Sequence, residues 1–301
     1  MTELGSHAGQ VMSDVLGPRF MRPWRWLLAR PLFLLGLTLV FAISFVAMIA
    51  PLISPYDPIK INLASRLQPP NPSHLLGTDH LGRDLLSRLL YGTRVSLMVG
   101  VTIAGMSCIL GSILGLTSGY FGRTVDNVIM RVCDMFFAFP PLILAMAIAA
   151  SLGPSLQNTM LALVIVWWPR YARLARSQVL SLRELDYVQA AKAAGASHVR
   201  IMLRHILPNV FSPVVIQTTL DIGQAILMAA SLGFLGFGAQ PPTPEWGLMA
   251  SEGRVYMRDF WWYPTFPSLM ILITVLGFNL LGDGLRDALD PRQRGRLAGL
   301  G

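Results

Sequence analysis

The sequence predicts an all-α polytopic membrane protein that crosses the bilayer six times, with both termini on the inner side. Three observations carry this. Hydrophobic residues make up 53% of the 301 and charged ones only 13%, where a soluble domain has about 25% charged residues. Six apolar runs approach the roughly 20 residues that a helix needs to span hydrocarbon, and open sheet cannot cross lipid with its backbone groups unpaired. Arginines collect on alternate connections, as they do in inward-facing loops.

The net charge of +8 comes almost wholly from arginine, since Lys60 and Lys192 are the only lysines. Beside so many apolar runs, this charge reads as basic membrane loops and not as a nucleic-acid surface. Cys108 and Cys133 make neither a disulfide framework nor a metal cluster. His7, His74, His80, His198 and His205 lie scattered in loops and tails without metal-ligand spacing, so no metal site is expected.

Residues 1–30 form a basic inner tail with Arg19, Arg22, Arg25 and Arg30. The apolar run 31–53 exceeds the roughly 7–15 residues of a signal-peptide core and reads as an uncleaved anchor span. Residues 54–94 follow on the outer side. Their first part, 54–79, is rich in Pro, Asn and Ser and reads as irregular loop. After Gly82, Leu85, Leu86, Leu89 and Leu90 fall on one helical face and Asp84 stands four residues before Arg88, which predicts an amphipathic helix with an i,i+4 pair. This segment strains the charge rule. It holds Lys60, Arg66, Arg83, Arg88 and Arg94 on the outer side, offset only partly by Asp57, Asp79 and Asp84.

The membrane core, 95–285, contains the other five spans, at 95–118, 128–152, 159–180, 210–236 and 264–285. The fourth span runs into Arg170, Arg173 and Arg176, which places its end beyond the bilayer. The outer connection 153–158 carries no charge. In the outer loop 237–263, Trp261, Trp262 and Tyr263 are spaced as an interfacial aromatic belt. The tail 286–301 is basic and inner. In the fifth span Gln217, Asp221 and Gln224 share one helical face. A mid-span carboxylate usually faces a bundle interior or a wet cavity. Two readings stay open: a stripe lining a polar path, or a packing partner for another group.

The inner segment 181–209 is the most informative. Gln189 to Ala194 is strong helix-forming sequence, and Gly195 marks a turn. Val199, Met202, Leu203 and Ile206 then repeat at helical spacing, giving one apolar face for the chain's own spans and one polar face for something else. Pro208 predicts a break at Leu207 before the next span. Periodicity alone leaves a solvated linker and a docking surface equally open.

The stretch "QAAKAAGASHVRIMLRHILP" resembles the EAA loop of bacterial ABC-importer permeases, with Ala190, Ala191, Gly195, Leu207 and Pro208 in register. Gln189 replaces the usual Glu, and His205 stands where Ile is usual. "LLGTDHLGRDLLSRLLYGTRVSL", "LGFLGFGAQPPTPEWG" and "FNLLGDGLRDALDPR" resemble the second permease of the dipeptide/oligopeptide/nickel importers. The resemblance implies a type I importer architecture in a bacterial inner membrane. It implies a second homologous permease, two ATP-binding subunits holding ATP and Mg, and an extracytoplasmic substrate-binding protein. Gln189, Ala190, Ala191, Gly195, Ala196, Ser197, His205, Leu207 and Pro208 would then dock on an ATPase. Neither lysine follows a glycine, so the chain has no phosphate-binding loop. It is expected to be a transport subunit that binds no cofactor and catalyses no reaction.

Two other functions compete. A secondary transporter would carry paired ionisable groups in its spans and internal repeats; few such groups and no repeat are found. A structural membrane subunit would not require the helix–turn–helix at 186–208. Dipeptides are the expected cargo, with D-Ala-D-Ala-type dipeptides, glutathione and longer peptides close behind. Nickel fits less well, because the spans lack His or Cys clusters.

Overall fold

A computed structural model describes residues 30–289, so nearly all of the basic N-terminal tail and most of the C-terminal tail lie outside the described residues. Among the described residues there is no strand, only an isolated antiparallel bridge between Thr78 and Asp84. Ten helices are labelled in chain order: α1 (Pro31–Ile53), α2 (Leu85–Phe121), α3 (Arg123–Phe137), α4 (Pro141–Leu152), α5 (Leu156–Leu182), α6 (Asp186–Ala193), α7 (His198–Ile201), α8 (Leu207–Phe234), α9 (Trp246–Gly253) and α10 (Trp262–Leu289).

Four helical segments are each long and apolar enough to cross a membrane: α1, α2, the continuous 198–234 stretch that ends in α8, and α10. The pair α3 and α4 passes the same test jointly but is bent by 91°. The 128–152 run is therefore a broken helix. Pro140 and Pro141 meet at the break, and neither has an N–H to continue the ladder. α5 is 27 residues long but carries arginines through its second half. Arg176 pairs with Asp126 and Arg173 with Asp134, both on α3.

α2 is one helix of 37 residues that includes both the expected outer helix and the second span. Its Gly111, Gly115 and Gly119 lie on α5. A Cβ at Gly119 would meet Val179 at 2.8 Å, so the helices touch along a stripe of missing side chains. α1 lies on α10 in the same manner, with Gly36 against Leu280. The largest apolar cluster joins α2, α8, α9 and α10 around Leu85, Leu97, Ile226, Trp246 and Phe278.

The outer part of α2 differs from the sequence reading. Asp84 caps the helix, accepting from Ser87 N at 2.8 Å, and it pairs with His74 rather than with Arg88. The first turns of the helix show no solvated polar face, because Ser87 and Arg88 are fully buried, and exposure of a charged side chain resumes only at Arg94. The aromatic belt also dissolves: Trp261 is exposed, whereas Trp262 and Tyr263 are packed inside.

Candidate functional site

At the end of the bundle that holds α6 and α7, the chain builds a tight helix–turn–helix. α6 closes in a Schellman turn: Ala196 N–H donates to Ala191 O (3.1 Å) and Gly195 N–H to Lys192 O (3.0 Å). Gly195 has φ +76°, the left-handed region that favours glycine, and among the described residues no atom lies within 4 Å of where its Cβ would stand. Ser197 caps α7 by accepting from Arg200 N. The Gln189 side chain donates to Arg183 O at 2.8 Å, and Arg183 donates in turn to Gly119 O at the end of α2. Tyr120 Oη and His198 Nδ1 lie 2.9 Å apart, which ties α2 to α7.

Pro208 does not break the chain. Residues Met202–Ile206 form a π-turn that joins α7 directly to α8. The Leu207 N–H reaches back to Met202 O, and Pro208 falls in the first turn of α8, where a missing N–H costs nothing. The apolar face also departs from its predicted setting, since the π-turn puts Ile206 five residues after Ile201 on the buried side. Ile201 and Ile206 anchor the segment against Leu116, Val179 and Val210. Val199 and Leu203 point outward, 59% and 56% exposed. Tyr187 is also exposed, at 42%, as are Lys192, Arg200 and Arg204. The Tyr187 hydroxyl donates to His205 O and braces the two arms. Of the expected contact residues, Gln189, Ala190, Gly195, Ser197 and Pro208 are exposed, and Ala191, Ala196, His205 and Leu207 are half-buried.

At mid-bundle the Gln217–Asp221–Gln224 stripe exists, but its members differ. Asp221 is buried, Gln217 half-buried and Gln224 exposed. Asp221 Oδ1 accepts from Gln217 Nε2 at 2.9 Å and pairs with Arg170 Nη1 of α5 at 3.1 Å. Arg170 had been placed beyond the bilayer by the sequence reading.

At the opposite end, Arg83 and Arg88 are buried and share two carboxylates. Arg83 Nε donates to Asp79 Oδ2 at 2.5 Å, and both guanidinium groups reach Glu252 Oε2 at 3.3 Å. Tyr263 Oη donates to the same oxygen at 3.1 Å, and His80 Nδ1 lies 2.8 Å from Tyr263 Oη. This cluster answers the charge anomaly. Two of the surplus outer cations are neutralised by burial beside Asp79 and by Glu252, which stands 164 residues beyond Arg88 in the chain. Asp79, His80 and Glu252 come close enough together to hold a metal ion. Their carboxylates are already matched by two guanidinium groups, whose charge opposes a cation there. Burial, aided by Arg83 and Arg88, holds His80 below the ordinary histidine range against the pull of Glu252 and Asp79.

Residues 111–295 match the family described as "Binding-protein-dependent transport system inner membrane component". Residues 20–70 match the "N-terminal TM domain of oligopeptide transport permease C". The chain is 47% identical over 272 residues to the probable D,D-dipeptide transport system permease protein DdpC of Escherichia coli K12, covering 90% of this chain and 91% of that one. It is 47% identical over 276 residues to the dipeptide transport system permease protein DppC of Alkalihalophilus pseudofirmus, with 90% and 91% covered. Among solved structures, a chain of the inward-facing MetNI methionine ABC transporter aligns with TM-score 0.49 and 16% identity, over 67% of this chain and 98% of that one.

Proposed function

The chain belongs to the family of inner-membrane components of binding-protein-dependent transport systems, and from that premise we propose that it is one of two permeases of an ATP-driven importer of dipeptides or other short peptides. It is a transport component of the inner membrane and not a catalyst. In this reading it pairs with a second homologous permease, two ATP-binding subunits and an extracytoplasmic binding protein, and the partners hold ATP and Mg. It crosses the membrane six times with both ends inside, α3 and α4 together forming the broken third span and α5 the fourth.

The observation that carries the coupling role is the α6–α7 surface. Its turn is rigidly capped, and its inner side is anchored by Ile201 and Ile206. Its outer side shows Tyr187, Val199 and Leu203 to the surroundings. A solvated linker has no reason to hold apolar side chains outward on a braced frame, whereas a docking surface does. Gln189, Ala190, Ala191, Gly195, Ala196, Ser197, His205, Leu207 and Pro208 form or support this surface. Gln217, Asp221 and Gln224 line the route between the two permeases. The names of the relatives at 47% identity support peptides as cargo.

The test is uptake of labelled dipeptides by a strain lacking this gene, with and without the gene restored. Uptake that returns only with the gene supports the reading. Uptake that does not depend on the gene rejects dipeptides as the cargo.

A further inference from the structure

The Arg170–Asp221 pair is unequal. Its carboxylate side chain is 2% exposed and its guanidinium side chain 52% exposed. Both residues sit about 21 Å along their helices from the ends at Leu156 and Leu207, which, with α5 and α8 as spans in the proposed arrangement, puts them inside a hydrocarbon layer of roughly 30 Å. An arginine exposed at that depth is not tolerated against lipid, so this face of α5 and α8 looks onto water or another protein. The exposed Gln224 on the same face agrees. A pair that served packing alone would bury both partners. Here one partner is fixed and the other lies over it like a cover. The other carboxylate oxygen, Asp221 Oδ2, is buried with no partner of ordinary hydrogen-bond geometry among the described residues, and the neighbouring Tyr171 hydroxyl interacts with this carboxylate. Oδ1 alone carries Arg170 and Gln217.

We propose that Arg170 and Asp221 form an ion-pair exchange site for zwitterionic cargo, Asp221 releasing Arg170 to take the cargo's ammonium group while Arg170 takes its carboxylate. The proposal rests on the peptide-importer reading and narrows it to a charge pattern. Two ion pairs replace one pair and one zwitterion, so no charge is left uncompensated at a depth where that is most costly. Closed on itself, the pair keeps the site neutral between cargoes. A free divalent cation would take Asp221 but strand Arg170 beside it with like charge. A cargo carrying only one charged end would strand one of the two residues.

The test uses the complete complex in proteoliposomes, supplied with saturating binding protein loaded with labelled dialanine. The double variant Arg170→Gln with Asp221→Asn replaces the pair by neutral hydrogen-bonding side chains of similar size. It should assemble, and uptake per ATP hydrolysed should fall by at least about tenfold. Unchanged uptake per ATP would overturn the proposal. Should the double variant fail to assemble, the wild-type complex decides, given dialanine, its N-acetyl form and its amide, each loaded on the binding protein. Dialanine should move at least about tenfold more per ATP than either single-ended cargo, and equal movement of all three overturns the exchange. A wild-type complex that moves no dialanine refutes the peptide reading itself, which separates the two failures.

Discussion

Replacing Gly195 separates the cost of its backbone from the cost of its surroundings. With φ at +76°, any side chain other than Asn strains the turn by roughly 1–2 kcal/mol. That penalty is nearly the same for Ala and for Trp. Nothing among the described residues approaches a Cβ at this position, so they do not distinguish the two. A docked subunit does. A Trp side chain buried against a close-fitting partner forces the surfaces apart, and over-packing costs typically 1–3 kcal/mol or more. The shared strain cancels between the two, so this predicts loss of ATPase-subunit co-purification by about fivefold to a hundredfold for Gly195→Trp relative to Gly195→Ala. Gly195→Asn, which tolerates the left-handed region, should stay near wild type. The assay is affinity capture of the complex from detergent, with the amount of this chain in the membrane fraction as the control for insertion. Equal co-purification and equal transport for the Trp and Ala variants would refute the reasoning, because the turn would then face nothing.

Three further outcomes follow from the geometry. Arg88→Met leaves Asp79 and Glu252 with one guanidinium between them, and breaking a buried ion-pair cluster in this way should cost about 3–5 kcal/mol, read as a lowered melting temperature of the purified complex. No change would mean that the cluster is wet and loosely held. His80 is held below its ordinary value of about 6.5, so the unfolded chain binds the extra proton first. Its contribution is complete above pH 6.5 and is lost as pH falls through that value toward the folded one. Burial raises Glu245 and gives the opposite slope, so the comparison is between wild type and His80→Gln, whose melting temperature should fall less between pH 7 and pH 5. Single cysteines at Val255 and at Ser197, in a background without Cys108 and Cys133, should label from opposite sides of the membrane. Labelling of both in intact cells by an impermeant reagent would contradict the six-span arrangement.

Hydropathy located the apolar helices well, because a bilayer demands length and apolarity and little else. The run 31–53 is α1 to the residue. Gly195 was also legible, since a lone glycine between helix-forming stretches signals a backbone that other residues avoid. What failed was any inference that treated a local pattern as self-contained. The spacing of Val199, Met202, Leu203 and Ile206 suggested one buried face, but the π-turn puts Ile206 five residues after Ile201 on the buried side, and Val199 and Leu203 face outward. Pro208 suggested a break, yet it occupies the first turn of α8, where it is tolerated. The Asp84–Arg88 pair was plausible on a helix, but Asp84 serves as a cap and Arg88 meets Glu252. The surplus of arginine in 54–94 was a usable signal. Cations on the wrong side of a membrane protein call for a distant acid, and Glu252 was in the sequence to be found. Arg170 was harder, because an arginine near the end of an apolar run reads as a boundary until its partner on another helix is known.

In the proposed function, this chain moves peptide only when an ATPase drives it through α6 and α7. The most direct measurement is uptake of labelled dialanine into proteoliposomes, with ATP supplied to the ATPase side and the binding protein to the other. The complete set of subunits should accumulate dialanine with ATP and not without it, and omission of this chain should abolish accumulation. Uptake driven by a proton gradient in vesicles holding this chain alone, or ATP-driven uptake in its absence, would contradict the account.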